Sequence, residues 1–364
     1  MNVCIIGEGL TALSLAKSLI NKKINVHYYY KSRNSNFSSN RTIGISKSNF
    51  EFFKEKIFQI SKNNYWKINR IEIYTDKIDT ENLLKFENDK NDLFYIIKND
   101  ELLKSLNSNL IKSKFFKKII LKKDVNEEFL NKKEYDLIIN CDGGNFLAKK
   151  YFTKKISKNY YNLAYTTILK HKKIENNTAT QIFTKQGPIA FLPISNTETS
   201  VVYSMDIKNK KFDNSDVIDL INKNNPKYKI NKIDKLNSFE LSSSNLRNYY
   251  HKNILAFGDM LHRVHPLAGQ GFNMTIRDLR ILTKIIEDKI ELGMQLDSQI
   301  FDEFEKKTKD KNFVFSKAID LIYESFNLDK KVQNKSFSKI LKSIGKNKNL
   351  NNYFIKLADA GINF

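Results

Sequence analysis

The chain has 364 residues, 41% hydrophobic and 28% charged, which suits two intimately joined domains and excludes wholesale disorder. Its formal net charge is +22, but the lysines are scattered among asparagine and isoleucine, and no aromatic-plus-basic motif of an RNA-binding sheet occurs. The excess therefore reads as a solvated lysine-rich surface, with weak attraction to an anionic membrane surface as the second reading, and not as a nucleic-acid interface.

Residues 2–6 read as a buried strand that runs into a glycine turn. A helix is expected from about Thr11 to Lys22, because Ala12, Leu13, Ala16, Leu19 and Ile20 recur at helical spacing. Residues 24–30 read as a second strand, giving a βαβ unit and hence a parallel sheet. The Asn/Lys-rich stretches near 34–40 and 172–178 read as loops. Residues 99–113 are helical in pattern, and 135–141 form a short buried strand. From about 160 to 207 the pattern shifts to the alternation of antiparallel strands. Residues 253–257 form another buried strand, a helix is expected from about Asn273 to Lys289, and 298–364 are helical in pattern. The chain thus leaves an α/β region for a β-rich one and returns. The fold class is α/β, with a discontinuous Rossmann-like domain, an inserted β-rich domain and a helical C-terminal tail. Expected boundaries are 1–155 (with elements of the inserted domain near 65–98), 156–249, 250–297 and 298–364.

Cys4 and Cys141 both lie in apolar strand-like runs, so no disulfide framework is expected. No apolar stretch reaches the roughly 20 residues of a membrane span. The sequence starts almost directly on a strand, and a cytoplasmic protein, at most peripheral at the inner face of a membrane, is expected.

Three motifs carry chemistry. The first is Gly7-Glu8-Gly9-Leu10-Thr11-Ala12, between a strand and a helix. A dinucleotide fingerprint needs glycine for the tight turn, glycine for the approach of the pyrophosphate, and a small third residue for helix–strand packing. Ala12 fills the third place, and the free amides of the helix N-terminus favour a pyrophosphate. An acidic residue is expected at the end of the second strand, to bind a ribose; Tyr30 and Lys31 stand there instead. The second motif is Gly258-Asp259, followed by His265-Pro266-Leu267-Ala268-Gly269-Gln270-Gly271-Phe272-Asn273. Asp259 falls at a strand's carboxyl end, where it can accept from a ribityl hydroxyl. The amides of Gly269, Gln270 and Gly271 open the next helix and can stabilise negative charge on a flavin edge. The third is the strand end Asp142-Gly143. His262 and His265 are three apart, but His27, His171 and His251 supply no evident third ligand, so no metal site is expected.

In this order and spacing the motifs resemble the flavin-dependent aromatic hydroxylases built like para-hydroxybenzoate hydroxylase, and within them the ubiquinone-biosynthesis hydroxylases. The resemblance covers roughly residues 1–290. It also rests on Arg41-Thr42-Ile43-Gly44-Ile45-Ser46, on Gly187-Pro188-Ile189-Ala190-Phe191-Leu192-Pro193, and on the long stretch from His265 to Asp278. Phe146 and Lys149 depart from the family's serine and arginine after the Asp-Gly motif, and Met260-Leu261 replace its two alanines.

The resemblance implies FAD as cofactor, NADPH or NADH as reductant, dioxygen as co-substrate, and oxygen transfer to an aromatic ring through a flavin C4a-hydroperoxide. The substrate it implies is a polyprenylated phenol of ubiquinone biosynthesis. Cofactor contacts fall on Gly7, Gly9, Leu10, Thr11, Ala12, Tyr30, Lys31, Arg41, Asp142, Gly258, Asp259, Gly271, Phe272 and Asn273. Pro266, Gly269, Gln270 and Gly271 would position the flavin ring, with no side-chain nucleophile. Phe191 and Pro193 are expected to face the substrate, with plain core the equal alternative for Phe191. Peripheral membrane contact or a biosynthetic complex would suit a prenylated substrate. A flavin halogenase is disfavoured by the single tryptophan, Trp66. An FAD-dependent prenyl reductase and a non-catalytic FAD-binding subunit are the alternative readings.

Overall fold

The computed structural model describes residues 1–31, 41–75, 83–87, 92–131, 134–208, 212–332 and 348–361. The expected loop near 34–40 lies outside them, as does part of the 65–98 segment and of the tail.

The first half of the chain holds β1 (Asn2–Ile6), α1 (Leu10–Ile20), β2 (Asn25–Tyr30), β3 (Thr42–Ser46), α2 (Lys47–Phe52), β4 (Trp66–Ile68), β5 (Arg70–Thr75), β6 (Leu84–Glu87), β7 (Phe94–Lys98), α3 (Asn99–Leu110), β8 (Phe116–Ile120), β9 (Leu137–Asn140) and α4 (Phe146–Tyr151). Then follow β10 (Lys155–His171), β11 (Thr178–Phe183), β12 (Pro188–Pro193), β13 (Glu198–Asp206), α5 (Asn214–Lys223), β14 (Ile230–Ile233), β15 (Asn237–Leu246), β16 (Tyr250–His251), β17 (Ile254–Ala256), β18 (His262–Arg263), α6 (Gln270–Glu291), α7 (Gln299–Val332) and α8 (Lys348–Ala360).

The first sheet has the order β16-β17-β9-β1-β2-β8, parallel except for β16. β9 and β17 are buried along their whole length, and β1 at all but its first residue, as a parallel sheet covered on both faces requires. From β1 the chain goes to β2 on one side and later returns to β9 on the other. The strand order therefore reverses between β1 and β9, where open α/β sheets bind ligands. α1, α3 and α6 cover this sheet, and one large apolar cluster joins them to it.

The second sheet runs β18-β15-β10-β13-β12-β11-β5-β6, with β14 also on β10. It is antiparallel save for β11 against β5. The short third sheet, β3-β7-β4, lies between the motif regions in sequence.

Several elements differ from the pattern reading. α6 starts at Gln270, three residues earlier than expected, because Gly269 turns the chain at φ +63° and the helix begins directly after it. α5 interrupts the β-rich region. It is held by an Asp213–Asp216 capping box and buries Val217 and Ile221. β8 joins the parallel sheet although its residues Lys117, Lys118 and Ile120 are exposed, as an edge strand allows.

Candidate flavin site

The carboxyl ends of β1, β9 and β17 lie side by side: Ile6 pairs with Asn140, and Asn140 with Ala256. The segments that leave these strands are the sequence motifs, so residues far apart in the chain meet along one sheet edge. Gly7 donates its amide to the Tyr29 carbonyl at 2.9 Å and takes φ +143°, which favours glycine; a Cβ there would stand 3.1 Å from the Cys141 Cβ. Gly258 also has positive φ, and a Cβ on it would run into Thr11. This close approach holds the Asp259 turn against the start of α1. Burial pushes the Cys141 thiol up, and the carboxylates of Asp259 and Asp142 add to the effect, which places both acids beside that strand end. Asp142 Oδ1 accepts from the Gly144 amide at 2.8 Å, and the Asp142 amide donates to Asn140 Oδ1 at 3.0 Å.

Gly9 is the N-cap of α1, with no side chain capping the helix. A Cβ on Gly9 would meet nothing within 4 Å, and the same holds for Gly271 in the first turn of α6. Protein packing does not require glycine at either place. Both stand at helix N-termini that present unpaired amides to open space. That is the arrangement an anionic dinucleotide needs, so the residues present fit FAD.

The β3 segment is tied to the start of α6 through Asn273. Its Nδ2 donates to the carbonyls of Gly44 at 2.9 Å and Gly269 at 3.0 Å, and its Oδ1 accepts from the Ser46 amide at 2.9 Å. Asn49 adds a fourth bond to Oδ1 at 3.2 Å. The side chain is fully buried and fully used within the protein, where it positions backbone of β3 and of the turn before α6. Phe94, which sequence reasoning did not single out, lies against Gly44 and would stand 3.5 Å from a Cβ on Gly269. It is half-buried and packs, as Leu192 and Ile194 do, against the cluster of Ile68, Ile96 and Ala179. Nothing in the local sequence around Phe94 marks it; only the pairing of β7 with β3 brings it there.

At the end of β2, Tyr30 carries Lys118 Nζ over its ring at 4.5 Å, and Lys31 pairs with Asp124 at 3.0 Å. Asp124 also accepts from the amides of Val125 at 2.9 Å and Phe146 at 3.1 Å. A carboxylate therefore does stand beside this strand end, delivered by the loop after β8. Arg41 is exposed just before β3, its carbonyl accepting from the Asn99 amide at 3.0 Å. Leu10 and Ala12 are buried in the core under the turn. Phe272 packs toward Phe53, centroids 6.3 Å apart, so its ring serves the helix–core contact.

Phe191 is wholly buried in a cluster with Tyr203, Tyr228 and the α5 residues Val217 and Ile221. Side chains alternate across a strand, so Pro193 shares that face, while Ala190 and Leu192 point the other way. Ala190, Gln181, Val202 and Ser204 line a small cleft against His265, Pro266 and Leu267.

The histidines of the second motif are structural neighbours of this cleft. His262 Nε2 meets Asp278 at 2.5 Å with both side chains buried, and Asn312 donates to the other Asp278 oxygen at 2.9 Å. His265 stacks on Tyr323 with centroids 4.2 Å apart and takes the edge of Tyr160 at 5.0 Å. Burial lowers His265 to about 3, so it is neutral at ordinary pH.

The fold that carries this strand-end cradle is shared with solved structures of monooxygenases. The p-nitrophenol 4-monooxygenase PnpA from Pseudomonas putida DLL-E4 superposes with a TM-score of 0.77 at 12% identity, over 100% of this chain and 98% of that one. Klebsiella pneumoniae HpxO, solved with FAD and uric acid, gives 0.77 at 12% identity over 99% and 97%. Residues 131–305 match the family described as FAD binding domain, and FAD is the cofactor this fold serves. By sequence the chain is a homologue of ubiquinone-biosynthesis monooxygenases. It is 24% identical over 357 residues to the Caenorhabditis elegans ubiquinone biosynthesis monooxygenase COQ6, mitochondrial, with 80% of this chain and 78% of the relative covered. It is 27% identical to the Dictyostelium discoideum protein of the same name over 52% and 49%. The Escherichia coli K12 3-demethoxyubiquinol 3-hydroxylase is 26% identical over 52% and 51%, so the chain spans about half of these two relatives.

Proposed function

We propose that this protein is an FAD-dependent monooxygenase that hydroxylates the ring of a polyprenylated phenol in ubiquinone biosynthesis, with NADPH or NADH as reductant. The observation that supports the reading is that the helices opened by the two glycine motifs, α1 and α6, have no side-chain cap and begin with glycines, Gly9 and Gly271, where an added Cβ would meet nothing within 4 Å. Bound there, FAD would supply the redox chemistry, accepting hydride and activating dioxygen for transfer of one oxygen atom to an electron-rich ring.

The chain's own residues bind, orient and exclude water. Gly7 and Gly9 would let the backbone reach the pyrophosphate, and the amides of Leu10, Thr11 and Ala12 would take its charge. Asp259 would accept from a ribityl hydroxyl, with Asp142 beside it. Tyr30 and Lys31, the latter with Asp124, would border the adenosine end, and Arg41 would flank the cradle from β3. The amides of Gln270 and Gly271 would hold negative charge on the ring's pyrimidine edge, with Gly269, whose amide donates to the Pro266 carbonyl at 3.2 Å, shaping the turn and Pro266 against the ring. Ala190, Leu192 and Phe94 form the apolar side on which an aromatic substrate would lie.

A prenylated substrate also favours contact with a membrane surface. The charge of +22 and the exposed α7 residues Leu321 and Leu328 suit a peripheral contact. No helix among the described residues is long and apolar enough to cross a membrane.

The test is the visible absorption spectrum of the purified protein, with chromatography of the cofactor released on denaturation. FAD, followed by oxygen consumption and NAD(P)H oxidation stimulated by a prenylated phenol, is the expected outcome. A colourless protein that cannot be reconstituted with FAD overturns the reading. Reduction of a prenyl chain without oxygen uptake, or FAD bound with no turnover, would replace it with a reductase or a binding subunit.

A further inference from the structure

A second cavity, of about 140 Å³, opens between α6, α7 and α8, with Arg277, Asp278, Arg280, Lys311, Phe315 and Gly361 on its wall. Arg277 lies about two turns along α6 from the glycines of the cradle. Its guanidinium rests on the Phe315 ring at 4.3 Å, and its Nη1 is buried with no hydrogen-bond partner among the described residues. A buried cation without an acceptor is costly, and a guanidinium keeps its charge where an amine would lose it. Burial draws Arg277 down only to about 10, so it is still charged at neutral pH.

The carboxylates of Asp278 and Asp359 act on Arg277, and each also accepts hydrogen bonds from other groups. Asp278 is bound by His262 at 2.5 Å and by Asn312 at 2.9 Å. Asp359 Oδ1 accepts from the Ser48 amide at 2.8 Å. Arg280 donates to the Ser48 carbonyl at 3.0 Å and lies over Phe52. Arg277, Arg280 and Lys311 thus outnumber the two carboxylates beside them, and the space admits more than a water molecule.

We propose that this cavity is a binding site for a phosphate monoester, its dianionic head between Arg277 and Lys311 and its organic part against Phe315 and Ile281. A planar guanidinium fork matches phosphate oxygens in pairs, and a phosphate offers more acceptor oxygens than a carboxylate to the unpaired Nη1 and to Lys311. The apolar wall distinguishes an ester from the bare ion. The site is separate from the flavin cradle, and nothing in it depends on the flavin reading.

The experiment uses the purified full chain as isolated, with inorganic phosphate as first probe against chloride at equal ionic strength. Phosphate at about 10 mM is expected to raise the melting temperature by about 2–4 °C, and chloride to leave it unchanged. Arg277→Met and Lys311→Gln should each remove the rise; Lys311 is only half-buried, so its variant keeps the test valid if Arg277→Met misfolds. Adenosine monophosphate and vesicles of phosphatidic acid then distinguish the sources. Tighter binding of the nucleotide identifies a soluble ester, and cosedimentation with phosphatidic acid but not phosphatidylcholine identifies a lipid headgroup. No phosphate-specific rise, a rise that persists in both variants, or binding of acetate in preference to phosphate overturns the proposal.

Discussion

Asn273 and Gly44, 229 residues apart in sequence, are joined by a hydrogen bond of 2.9 Å from the asparagine amide to the glycine carbonyl. The same amide reaches the Gly269 carbonyl, and its oxygen holds the Ser46 amide. One buried side chain thereby fixes the distance between β3 and the first turn of α6. Asn273→Ala is expected to cost about 2–4 kcal/mol, because buried backbone groups are left unpaired. Asn273→Asp should be at least as damaging, since a carboxylate would face two carbonyls. Urea unfolding of the variants checks this, and FAD affinity should fall with stability in both.

Gly9 and Gly7 are expected to behave oppositely. Gly9→Ser adds a side chain where no protein atom lies within 4 Å and supplies a favourable N-cap. The cofactor-free protein should be as stable as before, or more so by about 0.5–1 kcal/mol, while FAD binding weakens at least about tenfold. Gly7→Ala should instead lower the stability of the cofactor-free protein by about 1–3 kcal/mol through its positive φ. Denaturation without cofactor, set beside FAD titration, separates the two. Equal losses of stability would remove the argument that Gly9 serves a ligand.

Gly44 and Phe94 form a coupled pair. A Cβ at Gly44 runs into the Phe94 ring, so Gly44→Ala should cost about 1–3 kcal/mol by overpacking. Combined with Phe94→Leu, much of that loss should vanish, giving a coupling of about 1 kcal/mol or more in a double-mutant cycle. Phe94→Leu alone should change KM for an aromatic substrate more than it changes folding.

His265 gives a pH dependence of known sign. Burial lowers its folded-state value to about 3 from the ordinary 6.5. The folded protein therefore refuses a proton that the unfolded chain accepts. This stabilisation is fully present above about pH 6.5 and is lost as pH falls toward 3, by about 1.4 kcal/mol per unit. His265→Phe keeps a ring between Tyr160 and Tyr323 and should flatten that part of the acid limb. Melting temperatures of both proteins from pH 7 to pH 4 provide the comparison, and parallel curves would contradict it.

Phe191→Ala should lower stability by about 3–5 kcal/mol without altering which ring carbon is hydroxylated, because the side chain is core. Ala190→Leu, on the opposite face, should raise KM for a bulky phenol with little change in melting temperature. Steady-state kinetics with product analysis distinguish these outcomes.

The first strand, helix and second strand were legible in sequence because fully buried strands and an apolar helix stripe leave strong local patterns. The motifs at Gly7, Gly258 and Gly269 were legible because each turn needs glycine for a local reason. The alternation of β12 showed that Phe191 and Pro193 share a face, but not which face meets Pro266. That is decided by α5, whose buried Val217 and Ile221 cover the odd-numbered side; its capping residues and spacing at 213–223 were the available signal. The work of Asn273 could not be read locally, since every partner except Gly269 lies more than two hundred residues away. Asp124 escaped for the same reason: it arrives at β2 through the pairing of β8.

The last described helix reaches back to the beginning of the chain. Asp359 accepts the Ser48 amide through its side chain, and its carbonyl accepts from the Ser46 hydroxyl at 3.1 Å. Ser46 and Asp359 are 313 residues apart, so a ribosome has long since released the first before it makes the second. β3 and α2, which border the cradle, gain these two bonds only once residue 359 has been made.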